Sequence, residues 1–141
     1  MAVLDPSLEP ASMKKPLTNE LGELAAALAK AGKFVCNYSS DEACNYCPPR
    51  IHHAIVVIVR EALTNIVKHA NAELVSIRLE RDSQSFMIAI EDDGKGFDPD
   101  TSDTGRGLSG MYERAERAGG VLSIDSALGK GTRIRMTIPV S

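Results

Sequence analysis

Four short stretches of this chain carry side chains able to do chemistry: Glu61, Asn65, Lys68 and His69 within one run; Asp92-Asp93-Gly94-Lys95-Gly96-Phe97; Gly105-Arg106-Gly107-Leu108; and Gly129-Lys130-Gly131-Thr132. A carboxylate, an amide, a cation and bare backbone are the group types needed to hold adenine, a magnesium ion and a polyphosphate in one cleft. The pattern implies an ATP site.

Glu61 and Asn65 are four residues apart, as are Asn65 and His69, so a helix through them would stack all three on one face. Magnesium prefers oxygen donors, keeps several waters and binds nucleotide phosphates with few protein ligands, a task the Asn65 amide oxygen could perform. Glu61 could then hold a metal-bound water or accept a proton, and Lys68 could add a point charge near the phosphates. A solvated helix face with ordinary charge pairs would read the same way.

Asp92 sits where an alternating apolar run ends and a glycine turn begins, so it can accept a hydrogen bond from an exocyclic amine beyond the sheet edge. Guanine presents a carbonyl at that ring position, so the acceptor selects adenine. Gly94 and Gly96 allow a base or sugar to approach the backbone closely, although acidic glycine turns also end many ordinary strands. Gly105 to Leu108 opens the next helix, whose first N–H groups and dipole suit phosphate. Extended through Gly110, the run spells G-x-G-x-x-G, but the dinucleotide-binding version requires a strand directly before it, and residues 98–104 are polar and contain Pro99. A P-loop is absent. Residues 97–106 suit a lid held or released by the γ-phosphate. Thr132 could give a hydroxyl to the base or a water, and a plain hairpin turn would account for it equally well.

These groups need elements to position them. Leu21, Leu24, Ala25 and Leu28 predict a helix from Thr18, with Thr18 or Asn19 as N-cap and Gly32 as stop. Lys33 to Tyr38 reads as a short strand and Ser39 to Pro49 as a loop. Ile51, Ile55, Val59, Ala62, Ile66 and Ala70 predict one long helix over about 50–70, its apolar stripe separate from the polar one. Val75, Ile77, Leu79 and Phe86, Ile88, Ile90 predict a hairpin. Leu108, Met111, Ala115 and Ala118 predict a helix ended by Gly119-Gly120, before strands at 121–125 and 132–139. The expected fold class is α+β, a two-layer sandwich with helices on one face of a mixed, mostly antiparallel sheet.

With 141 residues, 43% hydrophobic, the chain has room for one domain, expected over 18–141 after a flexible lead of 1–17. A net charge of −3 and 4% aromatic content without Trp argue against nucleic acid as a partner. The apolar stretch 54–59 is too short to cross a bilayer and no signal-peptide pattern opens the chain, so membrane contact is not expected and the location reads as cytoplasmic. Cys36, Cys44 and Cys47 read as reduced thiols. Cys44-x-x-Cys47 with His52 and His53 nearby could in principle hold zinc.

The ordered motifs, Arg60-Glu61-Ala62-Leu63-Thr64-Asn65 with Lys68-His69-Ala70, then the two glycine loops with Gly110-Met111, then Gly129 to Thr132, resemble the ATP-binding catalytic domain of bacterial sensor histidine kinases, close to the nitrate-sensor-like branch. The resemblance runs from about residue 20 to the C-terminus. It implies the Bergerat ATP-binding fold shared with gyrase-type and Hsp90-type ATPases, with ATP and Mg2+ as ligands. It makes Asn65 the magnesium ligand, Glu61 a water or proton partner, Lys68 a phosphate contact, His69 a wall of the site and Asp92 the adenine reader. It places Gly94, Gly96, Gly105 and Gly107 around base and phosphates, with Arg106 and Leu108 in the lid. Such kinases carry a phosphoacceptor histidine in an Arg-x-x-x-Glu-Leu-His-Asp-like setting, and no such string occurs here. His52 and His53 follow Pro48-Pro49-Arg50 and are not expected to take that role. The implied activity is transfer of the γ-phosphate of ATP to a histidine on a separate dimerisation domain, and through it to a response regulator, with the isolated domain monomeric. A serine kinase of the anti-sigma-factor type resembles the same fold, and a degenerate module that only binds partners is a third possibility. The run Gly107-Leu108-Ser109-Gly110-Met111-Tyr112-Glu113-Arg114 favours the sensor kinase over the serine kinase.

Overall fold

The computed structural model describes residues 15–98 and 107–140. Helix α1 (Leu17–Gly32) leads to strand β1 (Val35–Ser40), a 3-10 turn (Glu42–Asn45) and helix α2 (Pro49–Asn65). A π-helical turn (Ile66–Ala70) then precedes strands β2 (Leu74–Arg81) and β3 (Ser85–Asp92), helix α3 (Leu108–Arg117), and strands β4 (Val121–Ser126) and β5 (Thr132–Pro139). The sheet order is β1-β2-β3-β5-β4. Among the described residues only β1 pairs in parallel, with β2; the other pairings are antiparallel.

Alternation along the strands decides which face is covered. Val75, Ile77 and Leu79 of β2, Phe86, Ile88 and Ile90 of β3, and Ile134, Met136 and Ile138 of β5 are buried, while Ser76, Arg78, Arg133 and Arg135 between them are exposed. One face therefore meets the helices and the other meets water. Leu17, Leu21 and Ala25 of α1, the stripe Ile51, Ile55, Val59 and Ala62 of α2, and Met111 and Ala115 of α3 supply the second layer of a single core. This is the α+β sandwich expected from the sequence. No helix among the described residues is long and apolar enough to cross a membrane.

Element boundaries differ from the expectation where tertiary contacts intervene. Strand β1 begins at Val35 because Lys33 takes a left-handed conformation, φ 57°, to close α1. Leu17, expected in the flexible lead, is helical and fully buried. The N-cap of α1 is Pro16, without a capping side chain. Asn45 Oδ1, from the 3-10 turn, instead accepts the Thr18 N–H at 3.0 Å, satisfying one of the donors that helix starts leave open. The Glu20 carboxylate meets His52 Nε2 at 2.8 Å, tying α1 to α2.

The helix expected over 50–70 is α-helical only to Asn65 and π-helical over Ile66–Ala70. Because a π turn bonds i to i+5, it shifts the side chains that follow out of α register.

Two exposed aspartates fasten turns at the sheet ends. Asp82 Oδ1 accepts the Gln84 and Ser85 N–H groups, both at 2.8 Å. Asp93 Oδ1 accepts those of Glu73 and Leu74 at 2.8 and 2.9 Å. These bonds favour the charged form and hold both carboxyls below their ordinary value. Their contribution to stability is therefore complete above the unfolded-state value of about 4 and is lost as pH falls through the lower folded value. Thermal midpoints measured down the acid limb should drop less steeply in Asp82→Asn and Asp93→Asn than in wild type. Superimposable limbs would show that these bonds do not bear on stability.

Candidate nucleotide site

Asn65, the last residue of α2, and Asp92, the last residue of β3, line one cavity. Ala62, Ile66 and Ala70 continue the wall on the helical side. Ala70 follows Asn65 by five residues, the spacing that a π turn brings into line. Phe97 and Leu108 close another side, and Ile124, Thr132 and Ile134 supply the floor from β4 and β5. Its volume is about 30 Å³, room for about one or two waters. Phe97 is itself buried.

Asp92 is half-buried and its Oδ1 accepts the Gly94 N–H at 2.8 Å. Burial, chiefly, and then the neighbouring Asp93 charge push its carboxyl above the ordinary value, against the pull of the Gly94 bond. A desolvated acceptor beside an apolar cavity is suited to a hydrogen-bond donor on a flat, mostly apolar ligand.

The loop after Asp92 is held by its neighbours. Lys95 N–H donates to the Ala70 carbonyl at 2.8 Å, and Gly129 N–H donates to the Lys95 carbonyl at 2.7 Å. At Gly96 φ is +63° and a side-chain carbon would lie 2.1 Å from the Ala127 carbonyl oxygen. At Gly131 φ is +74° and the same carbon would lie 2.1 Å from the Asp92 carbonyl oxygen. Both positions demand glycine for conformation and for space. Gly131→Ala is expected to destabilise the fold by at least about 2 kcal/mol, combining left-handed strain with the clash. Urea unfolding would measure this, and an unchanged midpoint would contradict the packing at Asp92.

Residues 51–141 match the family described as Histidine kinase-, DNA gyrase B-, and HSP90-like ATPase. The chain belongs to that family. The signal transduction histidine-protein kinase/phosphatase UhpB of Salmonella typhimurium is 42% identical over 82 residues, 58% of this chain and 16% of the relative. The oxygen sensor histidine kinase NreB of Staphylococcus carnosus is 32% identical over 107 residues, 74% of this chain and 31% of the relative. In structure, the blue-light activated histidine kinase of Erythrobacter litoralis EL346 superposes with a TM-score of 0.76 at 26% identity, covering 89% of this chain and 42% of that one. This chain thus spans a third or less of these two sequence relatives' lengths.

Within this ATPase fold the residues singled out from the sequence separate into groups. Asn65, Asp92, Leu108 and Thr132 line the cavity, and Gly94 and Gly96 form the loop beneath it. Glu61 lies off the cavity: its Oε1 is 3.5 Å from Arg114 Nη1, and a side-chain carbon on Gly107 would lie 3.6 Å from its Oε2. Gly107 is the N-cap of α3, at φ 69°. Lys68 is exposed, and neither it nor His69 lines the cavity. The expected stack of Glu61, Asn65 and His69 fails at His69, because the π turn carries it out of line with Asn65; its Nε2 is buried without a hydrogen-bond partner. Gly105 and Arg106, with most of the expected lid, lie outside the described residues. Among the described residues no three His, Cys, Asp or Glu side chains are arranged to hold a metal, so Cys44, Cys47, His52 and His53 do not form the zinc set that their spacing allowed. Cys44 is buried and its thiol is pushed up to about 11, mainly by desolvation.

A larger concavity, about 890 Å³, runs between the starts of α1 and α2 past Glu20, Tyr46 and His52. Of the motif residues it is lined by Arg60 alone, and it opens to solvent. The small cavity is the better candidate because the sequence motifs converge there.

Sequence reasoning missed Phe97 as a wall, Arg114 as the Glu61 partner, and Ser126. Counting back across the Gly129–Gly131 turn from Thr132 would have reached Ser126, its register partner.

Proposed function

We propose that this chain is the ATP-binding catalytic domain of a two-component sensor histidine kinase, of the nitrate-sensor-like branch, which passes the γ-phosphate of ATP to a histidine on a separate dimerisation domain and so to a response regulator. One observation carries the proposal: the helix amide of Asn65 and the sheet-edge carboxylate of Asp92 face a single cavity. Named histidine kinases among the relatives support the kinase reading over a serine kinase of similar fold.

Asp92, with Oδ1 committed to Gly94, offers its other oxygen to the adenine amine. The apolar walls from Ala62, Ile66, Ile124 and Ile134 take the faces of the base. The 30 Å³ present is far less than a nucleotide needs, so Phe97 and Leu108 are assigned to move apart when the base binds. Asn65 provides an oxygen donor for magnesium, which neutralises and orients the polyphosphate when bound. Lys68, exposed beyond Asn65, and the start of α3 at Gly107 are assigned to the phosphates. Glu61, held by Arg114, is assigned to a metal-bound water or to the proton leaving the acceptor. Catalysis in such a site is mainly positioning and charge stabilisation.

Calorimetric titration with ATP, in magnesium and in EDTA, tests this reading. Saturable binding that tightens with magnesium is expected, followed by acid-labile phosphate transfer to a purified dimerisation hairpin from a related kinase and none to an anti-sigma antagonist. Absence of saturable ATP binding would end it.

A further inference from the structure

At one end of the sheet, three side chains on adjacent strands stand in a row. Asp92 of β3 is the register partner of Thr132 of β5, and Thr132 is the partner of Ser126 of β4. Side chains paired in this way point to the same face.

Ser126 Oγ makes three contacts. It accepts the Phe97 N–H at 2.9 Å, donates to the Gly131 carbonyl at 3.0 Å, and lies 2.9 Å from Thr132 Oγ1. A hydroxyl has one hydrogen and two lone pairs. The Gly131 carbonyl can only accept, so it takes the Ser126 hydrogen; the Phe97 N–H can only donate, so it fills one lone pair. The remaining contact is satisfied only if Thr132 donates to Ser126. With its hydrogen spent, the Thr132 hydroxyl can only accept from anything in the cavity that it lines beside Asp92.

We propose that Ser126 is a positioning residue for base specificity: by consuming the Thr132 proton it turns Thr132 into a second acceptor next to Asp92, so the site selects purines with a 6-amino group over those with a 6-oxo group. The proposal rests on the ATP-site reading above and adds to it a residue that does not line the cavity. A 6-amino group offers two hydrogens and can serve both acceptors. A 6-oxo group would bring a third acceptor against them, leaving buried polar groups unpaired, which is how polar pockets reject near-isosteres. If Thr132 were free to rotate, it could turn its hydrogen toward the oxo group and relieve the conflict. Ser126 removes that option. By anchoring the Phe97 N–H to the same oxygen, it also links the loop after Asp92 to the β4–β5 turn.

Titration of the 141-residue chain with ATP and with ITP, each with magnesium, tests this; the two nucleotides differ at the 6-position and in the adjacent ring proton. Wild type should prefer ATP. Ser126→Ala should lower the ATP-to-ITP affinity ratio about tenfold, the scale of one redirected buried hydrogen bond. Thr132→Val should lower the ratio similarly, and the double variant should fall no further than either single one, since both act through one hydroxyl. Ser126→Thr, which keeps the hydroxyl, should retain the wild-type ratio. The proposal is overturned if Ser126→Ala weakens both nucleotides equally, if it leaves the ratio unchanged, or if the two substitutions act additively. Should Ser126→Ala not fold, an unchanged ratio in Thr132→Val overturns it by itself. A wild-type chain that binds neither nucleotide overturns the ATP-site reading; one that binds ATP and fails only the ratio test overturns this inference alone.

Discussion

Asp92→Ala is expected to weaken adenine-nucleotide binding about a hundredfold, equally in magnesium and in EDTA. The estimate takes a charged hydrogen bond in a desolvated site at the upper end of its usual range, about 3 kcal/mol, with each 1.4 kcal/mol a factor of about ten. The loss should be independent of metal because Asp92 is assigned to the base, whereas the ion is assigned to Asn65. Asp92→Asn sharpens the test. Its amide oxygen can keep the Gly94 N–H, which turns the amide nitrogen toward the ligand as a donor. ATP binding should fall while ITP falls less or improves. Calorimetry with ADP, ATP and ITP reads all of these, and an Asp92→Ala chain that binds ATP normally would remove the adenine reader from the site.

The raised Asp92 carboxyl adds a pH dependence. Ligand donors are accepted best by the charged form, so affinity is present above the Asp92 value and lost as pH falls through it. Since burial moves that value upward, the loss should begin at a higher pH than an ordinary aspartate would give.

Asn65→Ala should have the complementary signature. Binding in EDTA should be close to wild type, whereas most of the tightening on adding magnesium should vanish, and phosphoryl transfer should fall about a hundredfold or more, the scale seen when one preorganised polar group is removed from a charge-stabilising site. The effect is large because few protein ligands hold a magnesium that also contacts phosphate, and Asn65 is the assigned side-chain oxygen. Replotting ATP affinity against magnesium concentration for the two proteins gives the comparison. Equal metal dependence would mean that another group holds the ion.

Residues that repeat with a fixed period were placed correctly from the sequence. Val75, Ile77 and Leu79 alternate and form a strand; Ile51, Ile55, Val59 and Ala62 recur at helical spacing and form a buried stripe. Both patterns arise because burial of one face is a local property of a regular element. The convergence of Asn65 and Asp92 was expected from their types, an amide on the polar stripe of a helix and a carboxylate where a strand ends, whereas the end of α2 at Asn65 itself was not, since the helix was expected to run to about residue 70.

What was not legible depended on atoms far apart in the chain. Sequence spacing put His69 in line with Asn65, yet the π turn at Ile66–Ala70 set Ala70 there instead. No local residue announces that turn, because packing around it selects between i+4 and i+5 bonding. The cap of α1 comes from Asn45, 27 residues beyond Thr18, and no neighbouring residue of α1 reports it. Ser126 gained its place only once the register β3–β5–β4 brought it beside Thr132 and the Phe97 amide.

By itself, then, the amino-acid order determined the periodic elements, the fold class and the inventory of polar groups that could meet a nucleotide, since each follows from local geometry and apolar patterning. The tertiary structure alone decided which of those groups share a cavity, that the Ser126 and Thr132 hydroxyls come within hydrogen-bond reach, and that Phe97 forms a wall. Such contacts and the cavity shape arise from the simultaneous packing of α2, β3, β4 and β5, a condition that no single stretch of chain contains.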